Sequence, residues 1–169
     1  QKNVDKMWLL WCSAQSPLFG KSRMSAFERY FTKEKALHEE VYNSYYRLSA
    51  DSHVCEQILK EFGVDPVHGH IINGHVPVRQ KDGENPVKAD GKLYVIDGGL
   101  SKAYQAKTGI AGYTLIFNSH YLALAQHHDY ISHPLSKPES DDMPTLQITQ
   151  KMDKRILVSD TDAGKKLSQ

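Results

Sequence analysis

The chain has 169 residues, 40% of them hydrophobic and 24% charged, with a formal net charge of +1. This length suits one domain, and the composition excludes wholesale disorder. The near-neutral balance excludes a strong electrostatic field for nucleic acid, and no apolar run approaches the roughly 20 residues that span a membrane.

In chain order, Lys6 to Cys12 is apolar and aromatic and reads as a helix or buried segment. Cys12 and Cys55 could pair, but two cysteines make no disulfide framework. Free thiols in a cytoplasmic setting are the preferred reading. Ser16-Pro17-Leu18-Phe19-Gly20 reads as a loop. Ser25-Ala26-Phe27-Glu28 has the form of a capping box and places a helix start at Ser25. A second helix runs from about Asp51 to Phe62, because Val54, Ile58, Leu59 and Phe62 share one helical face. Asp51 or Ser52 supplies its N-cap and Gly63 its stop. Asp51-Ser52-His53 also matches the Asp-x-His pattern of metal motifs. No apolar strand precedes it, so capping is the better account and neither Asp51 nor His53 enters the metal site.

Ile71-Ile72 reads as a short buried strand. Lys81 to Pro86 is a surface turn. Strands follow at Leu93 to Ile96, Tyr113 to Phe117 and Tyr121 to Ala125, with Asn118-Ser119 turning between the last two. Ser132 to Pro144 is rich in Ser, Pro and Asp and reads as a loop. Thr145 to Thr149 and Ile156 to Val158 read as short strands, and a helix begins near Thr161. There is no internal repeat. Helices first and β-runs later fit one half of an α/β sandwich. Such a half leaves a sheet edge and a helix face bare, with apolar surface exposed.

The segment His70-Ile71-Ile72-Asn73-Gly74-His75-Val76-Pro77-Val78 carries the most chemistry. His75 stands just past an apolar run, between a glycine and a near proline. Neutral imidazole is a common ligand for Mn, Zn and Fe. Gly74 is expected to take the unusual backbone angle at the bend, and Pro77 to limit the exit. The plain alternative is a strand-to-turn junction with an exposed histidine.

This segment resembles the last metal-binding motif of the calcineurin-like metallophosphoesterases, written Gly-His-Thr-Pro or Gly-His-x-His, with Val76 where Thr is more usual. A closer resemblance extends over nearly all of the chain. Trp8-Leu9-Leu10-Trp11-Cys12, Ser16 to Lys21, Phe27 to Phe31, Ile71 to Val78, Val95 to Gln105, Thr108 to Ile116 and Asp160-Thr161-Asp162-x-Gly164-Lys165 are similar to the C-terminal part of class III fructose-1,6-bisphosphatases of Firmicutes. Leu100 stands where that family suggests Phe. The family's other metal motifs do not occur here in proper context. The chain is therefore expected to be a fragment: residues 1–150 the C-terminal part of the catalytic domain, residues 151–169 the start of a tail. The fold implied is a partial metallophosphoesterase-type α/β sandwich, the distal half of the catalytic domain.

The resemblance implies a cytoplasmic, metal-dependent phosphatase of gluconeogenesis that hydrolyses fructose 1,6-bisphosphate to fructose 6-phosphate. Two divalent ions, Mn²⁺ in this reading, would serve in-line attack on phosphorus, with His75 binding one. Lys21 is a candidate phosphate contact, Arg23 a weaker one. Lys102, in the loop after Gly98-Gly99, is another candidate. Tyr104 would donate a hydrogen bond to a phosphate or simply pack. Asp97 would orient the His75 ring or cap a turn. His68 and His70 are expected in satisfied structural roles, and His127, His128 and His133 in an exposed stretch rather than a metal cluster. Homo-oligomer formation is left open; no nucleic-acid or membrane partner is expected. The alternatives are a related phosphoesterase acting on phosphoproteins or dinucleotides, and a truncated, non-catalytic module.

Overall fold

Leu93-Tyr94-Val95 forms the strand from which the fold is built, and all three side chains are buried. β-branched and aromatic residues suit a strand covered on both faces. The computed structural model describes residues 1–13, 20–22, 25, 28–99, 102–110, 112–128 and 143–169, and of residues 11, 12, 28 and 102–104 the backbone alone. Three short strands make the first sheet: β1 (Ile71–Asn73), β2 (Val87–Lys88) and β3 (Leu93–Val95). Their order is β1-β3-β2, with β1 parallel to β3 and β2 antiparallel to it. The second sheet is an antiparallel meander of β4 (Gly112–Phe117), β5 (Tyr121–His127) and β6 (Thr145–Lys151). Its central strand buries Leu122 to Ala125. Asn118 closes the β4–β5 hairpin, its Oδ1 accepting from the N–H groups of His120 and Tyr121 at 2.8 and 3.0 Å.

Among the described residues, a main-chain bridge and a side-chain hydrogen bond join the sheets over a shared core. The chain after β3 bridges the start of β4, with Asp97 opposite Gly112 and the Tyr113 N–H donating to Ile96 O at 3.0 Å. The Tyr94 hydroxyl donates to Thr149 Oγ1 at 3.2 Å, and Thr149 in turn donates to Leu122 O at 3.0 Å. A buried tyrosine is thereby satisfied across the junction. The surrounding core includes Cys55, Val78, Val95, Ile110, Tyr113 and Leu124. Cys55 is a free, buried thiol that donates to Ser49 O, and burial pushes its pKa up. The Cys12 side chain lies outside the described part.

The helices are α1 (Lys2–Cys12), α2 (Glu28–Phe31), α3 (Ser44–Leu48), α4 (Ser52–Glu61), α5 (Lys102–Thr108) and α6 (Asp162–Leu167). Of the two readings of Lys6 to Cys12, helix holds and buried segment does not: α1 starts earlier, at Lys2, and leaves Val4, Met7, Trp8 and Leu9 in solvent. α4 matches its reading: Asp51 Oδ1 accepts from the N–H groups of His53 and Val54, and Gly63 takes a left-handed φ of 69°. Thr161 caps α6 through Gly164 N–H.

The structure also corrects several expectations. Ile156 to Val158 is not a strand. Ile156 N–H donates to Ser119 O, and a 3₁₀ turn takes over at Val158; β-branched residues do not make a strand without a ladder to join. The helix start expected at Ser25 falls partly outside the described residues; Ser25 O accepts the Arg29 N–H at 3.2 Å, and its hydroxyl donates to Glu40 rather than to the helix. Lys102 lies in a helix rather than a loop. Ala, Lys and Gln favour helix, and Gly109 at φ 86° ends it. The short α3 was not anticipated. The loop readings at 16–19 and 132–142 lie outside the described residues.

Gly98 sits where β3 hands over to β4. A Cβ there would stand 2.6 Å from both Gly112 Cα and N and 2.8 Å from Ile110 Cδ1. Gly74 has open space around it and no left-handed φ. Gly98→Ala is expected to cost about 1–3 kcal/mol by overpacking. Gly74→Ala should stay within about 0.5 kcal/mol of the parent. Urea midpoints at constant m check the pair; equal midpoints would contradict the close approach at Gly98.

Candidate functional site

The excursion at residues 74–77 is the feature that organises the site. β1 runs beside β3 until Ile96 N–H donates to Asn73 O at 2.9 Å. The ladder resumes at Val78, whose N–H donates to Asp97 O at 2.7 Å and whose side chain is fully buried. Between these pins, Val76 N–H donates to Gly74 O at 2.9 Å, closing a γ-turn with His75 at its apex. His75 has φ 71°. The left-handed angle was expected at Gly74, but it falls on the histidine, because the three-residue turn puts its positive φ on the central residue. Such a conformation in a residue with a Cβ costs on the order of 1–3 kcal/mol and is held only by its surroundings. Here the surroundings are the two ladder bonds and Pro77.

His75 is exposed, and its ring makes no hydrogen bond to a described residue. A free, rigidly rooted imidazole at a strand end fits one position of a metal site. Among the described residues no group of three or more His, Cys, Asp or Glu side chains could hold an ion. Further ligands would have to come from elsewhere. Asp97 supports the turn through its main-chain carbonyl. Its carboxylate accepts from Gly99 N–H at 2.8 Å and makes no hydrogen bond to His75.

Beside the excursion lies a cavity of about 470 Å³ between α3 and the end of β1. Gly74, Val76 and Pro77 line it, together with Tyr42, Tyr45 and Tyr46. Asn43 caps α3, its Oδ1 accepting from Tyr45 N–H at 3.0 Å. The Tyr45 hydroxyl donates to Asn73 Oδ1 at 3.0 Å and accepts from its Nδ2 at 2.7 Å, tying α3 to β1. Tyr46 packs edge-on against both Tyr42 and Tyr45, with centroids 4.8 and 5.7 Å away. Arg79, Glu84 and Lys88 also line the cavity. Lys88 pairs with Glu84, which also accepts from Arg79 N–H at 2.8 Å. Burial opposes ionisation of Glu84. The Lys88 bond, the Arg79 N–H and both positive charges outweigh it, so its pKa lies below the usual value.

Lys21 stands behind the tyrosine wall. Its Nζ is 2.8 Å from Glu40 Oε2 and 5.4 Å from the Tyr42 ring centroid. Glu40 also accepts from Ser25 N–H and Oγ, at 2.8 and 3.0 Å. Ladder bonds from Ser22 N–H to Val41 O and from Asn43 N–H to Gly20 O hold the two segments together. Lys102 and Tyr104 fall on the first turn of α5, and their side chains lie outside the described part. His68 bonds Asp65 and His70 bonds Gly91 O, both structural pairings. His127 and His128 each bond a threonine hydroxyl; His133 lies outside the described residues. Arg79 and the tyrosine wall were not singled out in the sequence. The signals were a cation directly after the histidine motif and the Tyr42-x-x-Tyr45-Tyr46 run.

The family model described as Firmicute fructose-1,6-bisphosphatase matches residues 1–169. A class 3 fructose-1,6-bisphosphatase of Phocaeicola vulgatus is 51% identical over 97% of this chain and 25% of the relative. Those of Fusobacterium nucleatum and Porphyromonas gingivalis are 49% and 52% identical, over 99% and 98% of this chain and 26% and 25% of theirs. The chain thus spans about a quarter of the length of the curated relatives it matches. No solved structure matches it. No helix among the described residues is long and apolar enough to cross a membrane.

The Lys21–Glu40 pair gives a pH prediction. The hydrogen bond from Lys21, then that from Ser25 N–H, lowers the Glu40 pKa from 4.5 to about 2 against the pull of burial. A depressed carboxylate contributes stability that is full above its unfolded pKa and fades as pH falls towards the folded one. Stability should therefore drop between pH 4.5 and about 2. Glu40→Gln should flatten that drop, as measured by urea midpoints across the window. An unchanged slope in the variant would place the acid sensitivity at other carboxylates.

Proposed function

The chain belongs to the Firmicute fructose-1,6-bisphosphatase family, and from that premise we propose that it is part of a metal-dependent phosphatase that hydrolyses fructose 1,6-bisphosphate to fructose 6-phosphate and phosphate. The observation that carries the reading is His75 on a pinned, left-handed turn at a strand end, inside a family match that runs the length of the chain. In this reading the two small sheets are the distal half of a metallophosphoesterase-type α/β sandwich. The solvent-facing apolar side of α1 supports a larger sandwich around them. Residues 1–150 would close the catalytic domain, and residues 151–169 would open a tail. A free buried thiol at Cys55 suits a cytoplasmic setting.

His75 would hold one ion of a divalent pair, Mn²⁺ in our assignment. When bound, the pair supplies the Lewis acidity that activates water and polarises the reacting phosphoryl group. The chain's own contribution is positional. The strained turn fixes the imidazole before substrate arrives, so little ordering entropy remains to be lost. Asp97 holds that turn through its carbonyl, while its carboxylate shapes the backbone at Gly99. Lys102 and Tyr104, at the start of α5, are proposed as contacts to phosphate oxygens. Lys21 is proposed as a further contact, reached once its bond to Glu40 is exchanged.

The test uses a full-length polypeptide carrying this sequence. His75→Ala should release about one metal equivalent. Loss of an outer partner of a metal ligand typically costs 10–100-fold, so loss of the ligand itself should lower kcat by roughly a hundredfold or more. His70→Ala removes the bond to Gly91 O and should cost stability while metal content is kept. Metal analysis, kcat and Tm on both variants check this. Parental metal content and rate in His75→Ala would reduce His75 to a plain turn residue.

A further inference from the structure

We propose that the tyrosine-walled cavity beside His75 is the subsite for the sugar and its non-reacting phosphate, with Arg79 as the cation that holds this phosphate. The inference rests on the bisphosphatase reading above and names where the rest of the substrate sits. Position is the first argument. Gly74, Val76 and Pro77 line the cavity, so it borders the turn that carries His75, although the His75 side chain is not itself part of the lining. Size is the second. About 470 Å³ lies within the range of small-molecule sites, roughly 300–1,000 Å³.

Chemistry is the third argument. Tyrosine rings offer flat apolar faces with hydroxyls at their tips, a surface that suits a polyol. Charge decides the phosphate contact. Of the cations around the cavity, Lys88 is committed to Glu84, and Lys21, behind the wall, to Glu40. The Arg79 guanidinium forms no ion pair or hydrogen bond with a described side chain, and the residue is exposed. Its root is fixed instead: Glu84 accepts the Arg79 N–H, and the preceding Val78 is fully buried. A planar guanidinium on a fixed root can take a phosphate by two parallel hydrogen bonds. A remote phosphate needs such a cation, because a metal pair serves only the reacting one, and remote binding energy helps to fix the geometry of attack.

Product inhibition separates the two ends of the substrate. Fructose 6-phosphate carries the remote phosphate, and inorganic phosphate mimics the reacting one. In the full-length polypeptide, Arg79→Ala should raise the inhibition constant for fructose 6-phosphate and the KM for fructose 1,6-bisphosphate together, by roughly tenfold to a hundredfold for one charge-assisted contact. The inhibition constant for inorganic phosphate should move far less, and Arg79→Lys should recover part of the loss. An unchanged constant for fructose 6-phosphate would overturn the assignment, as would equal rises for both inhibitors, which would put Arg79 at the reacting end. A parent polypeptide that hydrolyses p-nitrophenyl phosphate but neither hydrolyses nor binds the fructose phosphates would overturn the bisphosphatase reading itself, and this subsite with it.

Discussion

The parallel pairing of β1 with the chain that continues β3 is the constraint on which the rest of the site depends. It is interrupted once, and both sides of the interruption are pinned: Asn73 O to Ile96 N–H, and Val78 N–H to Asp97 O. A strand that leaves a ladder and returns must compress the intervening residues. Compression here takes the form of a γ-turn whose positive φ falls on His75. The strain on one residue is held by bonds that also close the core around Val78 and Val95. Relaxing the turn would therefore require opening the sheet, and the imidazole stays where the backbone puts it.

The same segment organises its surroundings. Asn73, the last residue of β1, takes both hydrogen bonds of the Tyr45 hydroxyl and so fixes α3 across the cavity. α3 has only five residues, too short to be stable by itself. It persists because Asn43 caps it and because the Gly20–Ser22 segment pairs with Val41 to Asn43 just before it. The close approach of Gly20 to the Tyr46 hydroxyl completes that support, since a Cβ at Gly20 would sit 3.1 Å from the oxygen. The cavity wall is thus tied to the histidine turn through one asparagine, and to the N-terminal segment through one strand-like bridge.

What the sequence made legible was local. The apolar runs at Leu93, Tyr113 and Tyr121 became strands, and the Asp51 cap and Gly63 stop bounded α4, because each signal lies within a few residues of its effect. His75 was legible for the same reason, as a histidine just past an apolar run. Its strain was assigned to the wrong neighbour, since Gly74 is the residue that tolerates a positive φ most easily. Which residue takes it was decided by the ladder bond at Val78, a contact with Asp97 across the sheet. Tyr42, Tyr45 and Tyr46 come to line one cavity with Arg79 and Lys88 through the tie of α3 to β1 at Tyr45 and Asn73. No spacing in the chain encodes that contact. Ile156 to Val158 failed as a strand on similar grounds: propensity was present, but Ile156 is bonded to the hairpin turn at Ser119 and has no ladder to join.

The charges follow a pattern that links stability to recognition. Glu40 is bonded by Lys21 and by both donors of the fully buried Ser25, so that pair acts as a structural clasp behind the tyrosine wall. Glu84 does two tasks at once. Its carboxylate neutralises Lys88 and accepts the main-chain N–H of Arg79. One acid therefore removes a competing cation from the cavity and fixes the backbone of the cation that remains. Were Glu84 bonded to the guanidinium instead, Arg79 would be neutralised and the cavity would offer a phosphate little charge. Contact through the backbone leaves the guanidinium its donors with respect to the described residues, while its charge still acts on Glu84 from a distance. The separation of root from head, a fixed main chain and a guanidinium with no hydrogen bond to a described side chain, is the arrangement an anion site requires before its ligand arrives.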